Sequence, residues 1–264
     1  MIGNENFTKQ IYDSFLKICD GSSPNEIASA KNLLEKLNGR DDYLLALTNI
    51  LKKEGASENV KILSAIEIKN FVKRKRRNSL PLLKNDNWTS NFAQSILEIY
   101  FSSPSCNKKQ VYFQMSVAIA DIFAHRSFPE IDLISVIKNF LASKSFIERQ
   151  KSLQILKEIL EILTSENRKT EIAKISKNIF SEMAENWGKF AGFLFSGQNK
   201  YVKESKESFE ECSITTKIIY FMISVGTTSE DISSNEKIKR LFADLLSVLK
   251  RMAEFKLTEK DSNF

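Results

Sequence analysis

The residues best suited to chemistry in this sequence are cations that lie close together. Lys69 is followed, at the end of a predicted helix and the start of a loop, by five consecutive cations: Lys73, Arg74, Lys75, Arg76 and Arg77. Such a run could bind phosphate groups or carboxylates, because both carry negative charge. Two other interpretations are open: a solvated helix end that the helix dipole stabilises, and a nuclear-localisation-like peptide. Aromatic residues do not alternate with these cations, which argues against stacking of single-stranded nucleic acid.

Residue types that catalysis requires are scarce or badly spaced. His125 is the single histidine, and its place at the end of a predicted helix favours a cation beside the negative helix terminus over a catalytic role. The 8 glycines form no phosphate-binding loop, and the 3 cysteines form no CxxC pair. Glu210 and Glu211 are adjacent, so a helix would point them to different parts of its surface. The sequence therefore predicts a protein that is not an enzyme and uses no metal or cofactor.

Composition argues against an all-β fold and favours a helical one. The 264 residues include 8 Gly and 4 Pro, too few for the tight turns of an all-β fold, while 42% hydrophobic residues supply a substantial core. A net charge of +6 permits acidic partners without requiring them. The sequence shows neither a signal peptide nor a run of about 18 apolar residues. We therefore expect an intracellular protein without membrane insertion.

Signals that begin and end helices recur along the chain. Ser23 with Glu26 predicts a capping box, and Asn38-Gly39 closes the helix that this box begins. Ser145 with Glu148 predicts a second capping box. Between such signals, apolar residues recur at helical spacing. The sequence therefore predicts a series of amphipathic helices joined by short turns.

The predicted helices form pairs that repeat. Aligning the second helix of each pair gives apolar cores at Leu33–Leu37, Ile68–Val72, Ile119–Phe123, Leu156–Leu160 and Lys217–Phe221. These cores start about 46 residues apart on average, within the range of HEAT and armadillo helix pairs. A single-core bundle would also show amphipathic helices, but stacked pairs bury so many helices more readily. We expect an all-α fold, a right-handed α-solenoid of about five to six HEAT-type antiparallel helix pairs with a terminal helix from about Ser234 to Phe255.

Several segments resemble one known family. Val60–Val72 looks like the N-terminal signature of the importin-β (karyopherin-β) family, with an apolar and basic start, an alanine and a Lys-Asn pair. Lys109–Glu130, which contains a glutamine-bearing helix and ends in Phe-Pro, resembles the family's next segment, and parts of Ser208–Ile218 resemble a later one. The helix with Trp187 is similar to the importin-eleven branch. Where this chain has Lys73–Arg77, the family usually places a Trp soon after the Lys-Asn pair.

The resemblance also implies how the chain is organised. Residues 1–264 would form one HEAT-repeat segment of a longer chain. An importin N-terminal-like part would occupy about 24–100, and further HEAT repeats would occupy about 105–257.

The function that the resemblance implies is that of a nuclear transport receptor. It would bind the small GTPase Ran in its GTP form through second helices that face the concave side, and would couple this to cargo binding or release. Six residues would then contact Ran: Lys61, Lys69, Asn70, Gln110, Gln114 and Asp121. Asn70 could instead tie neighbouring repeats together through backbone hydrogen bonds. Protein cargo and FG-repeat nucleoporins are the other implied partners, and the protein would shuttle between cytoplasm and nucleus, passing the nuclear envelope transiently.

A second hypothesis comes from the basic run itself. A helical-repeat scaffold could bind nucleic acid or an acidic protein through Lys73–Arg77, and its affinity would then fall steeply with salt. With the resemblance to transport receptors, nucleic acid is not the partner we expect.

Overall fold

Ten α-helices appear in the computed structural model, counted over the residues that it describes. Those residues are 2–21, 23–40, 42–77, 86–125, 132–195 and 202–226, with 236, 239–240, 243 and 246. The helices in chain order are α1 (Ile2–Cys19), α2 (Pro24–Leu37), α3 (Tyr43–Lys52), α4 (Glu58–Arg77), α5 (Asp86–Ser102), α6 (Lys109–His125), α7 (Leu133–Leu141), α8 (Phe146–Ser165), α9 (Lys169–Phe195) and α10 (Val202–Gly226). A short 3-10 helix at Pro104–Asn107 precedes α6, and none of the described residues belongs to a strand. The prediction of an all-α fold is confirmed.

Met1–Asp132 form the first of two compact units, which contains three helix pairs. Within the pairs, α1 packs on α2, α3 on α4, and α5 on α6. Between the pairs, α1 contacts α3, α3 contacts α5, and α4 contacts α6. The first helices thus pack on one another in sequence order, the second helix α4 packs on the second helix α6, and α4 also contacts α1. This packing is consistent with an all-α solenoid.

Leu133–Phe264 form the second compact unit. Here α7 packs on α8 and α9 on α10, and contacts of α7 with α9 and of α8 with α10 link the two pairs. The same sequence-ordered pattern therefore holds within this unit.

Polar contacts hold α10 against both of its neighbours. Arg149 of α8 donates from Nε to Oε1 of Glu211 at 2.8 Å, and Glu211 is only 1% exposed. Trp187 of α9, also 1% exposed, donates from Nε1 to Oγ1 of Thr216 at 3.2 Å. Buried polar groups are normally paired in this way, because an unpaired one would lose its bonds to water.

The two predicted capping boxes have different outcomes. At α2, Oγ of Ser23 accepts from the N–H of Glu26 at 3.4 Å, and the Glu26 carboxylate accepts from the N–H of Ser23 at 3.0 Å, so this box is confirmed. At α8, Oγ of Ser145 accepts from the N–H of Glu148 at 3.4 Å, but the Glu148 carboxylate accepts from the hydroxyl of Ser143. The prediction of a second full box is therefore wrong. The hydroxyl of Ser143 donates to the Glu148 carboxylate and also accepts from the N–H of Ser145, which the carboxylate would bind in a full box.

Two glycines in the turns after helices adopt the left-handed conformation. Gly21 follows α1 with φ +71, and Gly55 follows α3 with φ +73. Residues with a Cβ rarely adopt this conformation, which explains glycine at both turns.

Two predicted helix signals cannot be compared with the structure: Pro129 lies outside the described residues, and so does most of the terminal helix expected at Ser234–Phe255. Among the described residues, no helix has the length and apolar character that crossing a membrane requires.

Candidate partner-binding site

Two neighbouring helices carry all six residues for which the resemblance implies contacts with a partner. These residues are Lys61, Lys69 and Asn70 on α4, and Gln110, Gln114 and Asp121 on α6. The two helices pack on each other. An ion pair of 3.3 Å between Oε2 of Glu58 and Nζ of Lys108 links the first turn of α4 to the residue before α6. The structure thus brings residues that are distant in sequence onto adjacent helices.

Helix α4 buries one side and leaves the opposite side partly open. Its buried residues are Val60, Ser64, Ala65, Ile68, Phe71 and Val72. At about 100° per residue these fill one broad arc of the helical wheel, and Lys69 and Asn70 fall outside it. Both of these side chains are half-buried. Lys61 lies within the buried arc, about 180° from Asn70, so one partner surface cannot face both side chains.

On α6 the three predicted residues share a single stripe. Gln110, Gln114 and Asp121 fall within about 40° of the helical wheel. Gln110 is exposed and Gln114 is half-buried, whereas Asp121 is only 2% exposed. A carboxylate this deeply buried is not accessible to a protein partner at the surface. The accessible part of the stripe therefore consists of Gln110 and Gln114, and Phe113, which is 42% exposed, lies on the same helix.

Most of these polar side chains have unused hydrogen-bonding capacity. Within the described part of the chain, the side chains of Lys61, Lys69, Asn70 and Gln110 form no hydrogen bond or ion pair. Oε1 of Gln114 is buried without a hydrogen-bond partner among the same residues. The expected hydrogen bonds from Asn70 to a neighbouring repeat are therefore not seen in this part of the structure. A partner could bond to these side chains without breaking existing contacts.

The basic run lies in α4, because the helix continues through Arg77. The expectation that part of the run forms a loop is therefore wrong. Arg74 is ion-paired, with 2.5 Å between its Nη2 and Oε1 of Glu67, whereas Lys73 is exposed and has no such pair with a described residue. The side chains of Lys75–Arg77 lie outside the described ones. The run is therefore not a set of five equivalent cations.

Lys69 carries its charge in an unfavourable environment. Its pKa is lowered, first by burial and then by the like charge of Lys73. Burial removes water from the ammonium group, and Lys73 lies one helical turn away on the same side. The sequence analysis identified both lysines as candidate binding residues. It did not predict that Arg74 would pair with Glu67 while Lys73 has no ion pair with a described residue.

The described residues include several of the groups that the sequence analysis considered for catalysis or metal binding. Within the described ranges, no three His, Cys, Asp or Glu residues are grouped so that they could hold a metal ion. Glu211, one of the two adjacent carboxylates, is bound to Arg149. His125 is the last residue of α6, as predicted, and its side chain lies outside the described ones. The three cysteines are free thiols.

Comparison with known proteins agrees with the resemblance seen in the sequence. Residues 30–100 match the family model of the importin-beta N-terminal domain, about a quarter of the chain. The matched segment runs from Ala30 in α2 to Tyr100 in α5 and contains the whole of α3 and α4. Searches of curated proteins and of solved structures found no match. Residues 30–100 are therefore similar to an importin-beta N-terminal domain, which supports a relationship of this chain to the importin-β family.

Proposed function

We propose that this chain is part of a nuclear transport receptor that binds Ran in its GTP form. The observation that carries the proposal is the match of residues 30–100 to the importin-beta N-terminal domain. That domain includes α4 with Lys69 and Asn70. In the family, the N-terminal repeats are the region that binds Ran-GTP. The all-α packing in sequence order is the architecture that such a receptor requires.

The contact surface that we propose lies on the open side of α4 and the polar stripe of α6. It contains Lys69, Asn70, Gln110 and Gln114, which lie on adjacent helices and have no hydrogen bond or ion pair from their side chains within the described residues. Lys61 and Asp121, the other two residues implied by the resemblance, are less suited. Lys61 faces another side of α4, and Asp121 would become accessible only if the packing of α6 opened.

The mechanism would be a linkage between two binding events. If Ran-GTP and cargo favour different curvatures or overlapping surfaces of one receptor, each weakens the other by the same free energy. The protein would do no covalent chemistry, so it would be a binding protein and not an enzyme. Cargo proteins and FG-repeat nucleoporins would be its other partners, and it would move between cytoplasm and nucleus.

Biolayer interferometry with the immobilised chain tests this function. Ran loaded with a non-hydrolysable GTP analogue should bind, and Ran loaded with GDP should bind at least about tenfold more weakly. The double variant Lys69→Glu, Gln110→Ala should weaken capture of the GTP form, because it changes exposed contacts on both helices. Lys52→Glu, on the exposed side of α3, makes the same charge reversal outside the surface and should have no effect.

Equal capture of both nucleotide forms, or no capture by a chain whose circular dichroism is that of a folded helical protein, would contradict the proposal. The alternative scaffold that binds through Lys73–Arg77 has less support, because Arg74 is already paired with Glu67.

A further inference from the structure

One line of residues on α4 combines apolar and cationic side chains. Ile62, Ile66, Lys69 and Lys73 follow one another at successive turns and fall within about 60° of the helical wheel. The first three side chains are half-buried and Lys73 is exposed. We call these four residues the Ile–Lys stripe. Its N-terminal half is aliphatic and its C-terminal half carries two positive charges.

The stripe borders the edge of α4 whose first turn is ion-paired with the residue before α6. Glu58, which pairs with Lys108 just before α6, falls about 20° from Lys69 on the wheel. From this edge the stripe extends toward the open side of α4, away from the buried arc.

The positive charge of the stripe is not neutralised by the described residues. Neither Lys69 nor Lys73 forms an ion pair with a described residue. Glu67 is bound to Arg74 on the other flank of α4, about 160° from Lys69 on the helical wheel. Its carboxylate therefore does not neutralise the lysines of the stripe. The lowered pKa of Lys69 has burial and Lys73 as its causes, and a bound anion would oppose both effects.

We propose that the Ile–Lys stripe binds an acidic amphipathic segment of a partner protein. Apolar side chains of that segment would cover Ile62 and Ile66, and its carboxylates would pair with Lys69 and Lys73. Such a segment matches the stripe in both chemistry and order, as peptides that dock on helical surfaces do. Nucleic acid fits less well, because a polyanion would leave the aliphatic half uncovered. The inference does not depend on Ran binding, since three of the four residues lie outside the proposed Ran surface.

Fluorescence anisotropy with the full chain tests the stripe. The probe is a labelled synthetic peptide that places Leu and Glu on opposite edges of one helical face. Lys69→Gln with Lys73→Gln should weaken binding roughly tenfold, since two partly exposed ion pairs are lost. Lys31→Gln with Lys36→Gln removes the same charge from exposed positions on α2 and should leave the affinity within about twofold.

A second pair of variants tests the aliphatic half. Ile62→Ser with Ile66→Ser should weaken binding roughly tenfold through lost apolar contact, whereas Ile62→Leu with Ile66→Leu should retain it. Thermal unfolding of each variant separates loss of the stripe from loss of the fold, and the lysine pair gives an independent answer if the serine pair unfolds.

Four results would overturn the proposal. They are absence of binding by the Leu-Glu peptide, unchanged affinity after both lysines are replaced, equal affinity for a peptide of Glu without Leu, and tighter binding of an oligonucleotide than of the peptide. Peptide binding by the unaltered chain together with equal or absent capture of the two nucleotide forms of Ran would leave the stripe in place while removing the proposed receptor function.

Discussion

Arg149→Met should destabilise the unit of Leu133–Phe264 because it would remove the cation that pairs with the buried carboxylate of Glu211. Arg149 donates from Nε and Nη2 to the two carboxylate oxygens of Glu211 at 2.8 and 3.4 Å, and Glu211 is 1% exposed. Nη1 of Arg149 also donates to the carbonyl oxygens of Ser143 and Lys144. The substitution would therefore release the turn before α8 as well as the contact between α8 and α10.

The size of the effect follows from the burial of each partner. Removing one partner of a buried ion pair typically lowers the free energy of unfolding by about 3–5 kcal/mol. The Arg149 side chain is 23% exposed. Because Arg149 is partly exposed, we expect Arg149→Met to lower the free energy of unfolding by the smaller amount in this range, about 3 kcal/mol. Glu211→Gln should lower the free energy of unfolding by only about 1–2 kcal/mol, because Arg149 would keep its bonds to the two carbonyl oxygens and its partial contact with solvent. The double variant should be more stable than the sum of the two single effects predicts, by about 1 kcal/mol or more.

Urea unfolding followed by the fluorescence of Trp187 measures these differences. Trp187 is 1% exposed in α9 and bonded to Thr216 of α10, so it reports on the same helices. The chain has 2 Trp, and Trp88→Phe in every variant isolates this signal. With a slope of about 2 kcal/mol per M urea, a loss of 3 kcal/mol lowers the midpoint by about 1.5 M. Equal effects of the two single substitutions, or a fully additive double variant, would refute the reasoning.

Three further predictions concern the first unit. Leu47→Ala, at a residue with 0% exposure, should lower the free energy of unfolding by about 2–5 kcal/mol in urea titrations, while Leu45→Ala on the same helix, 47% exposed, should change it by less than about 1 kcal/mol. The hydroxyl of Tyr43 is buried with no hydrogen bond to a described residue, and its pKa is raised above the usual 10.0, first by burial and then by Glu67. The folded state thus keeps a proton that unfolded Tyr43 releases, so stability present below pH 10.0 should fall as the pH rises further, and Tyr43→Phe should reduce that fall in urea titrations. Ser23→Ala should lower helix stability by about 1 kcal/mol and speed amide hydrogen exchange in α2, because the capping box is lost.

Each of these predictions has a result that contradicts it. Similar losses for Leu47 and Leu45 would mean that burial does not set the energetics of α3. An unchanged alkaline fall in the Phe variant would remove Tyr43 as its source. Hydrogen exchange in α2 that Ser23→Ala leaves unchanged would show that the capping box does not hold this helix end.

Local signals in the sequence predicted helix ends well where no competitor was near. The box of Ser23 and Glu26 formed because its groups lie within one turn of each other. The box at Ser145 failed because the hydroxyl of Ser143 accepts from the N–H that Glu148 was expected to bind. Such competition depends on side-chain geometry in the turn before α8, which spacing alone does not describe.

The candidate site shows a similar division. Sequence spacing placed Lys69 and Asn70 on α4 and Gln110 and Gln114 on α6, and the structure put the two helices in contact. Sequence spacing did not predict that Asp121 would be buried, with only 2% of its surface exposed. Whether a residue of an amphipathic helix is accessible depends on the helices that pack around it.

By itself, the sequence determined that this protein is all-α, where α2 begins, and that residues 30–100 are similar to an importin-beta N-terminal domain. Helical periodicity and capping act over a few residues, so one chain is enough to read them. Only the tertiary structure decided which charges are paired and which are open. Arg149 meets Glu211 across 62 positions of sequence, and Lys69 faces outward because other helices cover the opposite side of α4. Burial and ion pairing arise from neighbours that folding brings together, and no local pattern contains that information.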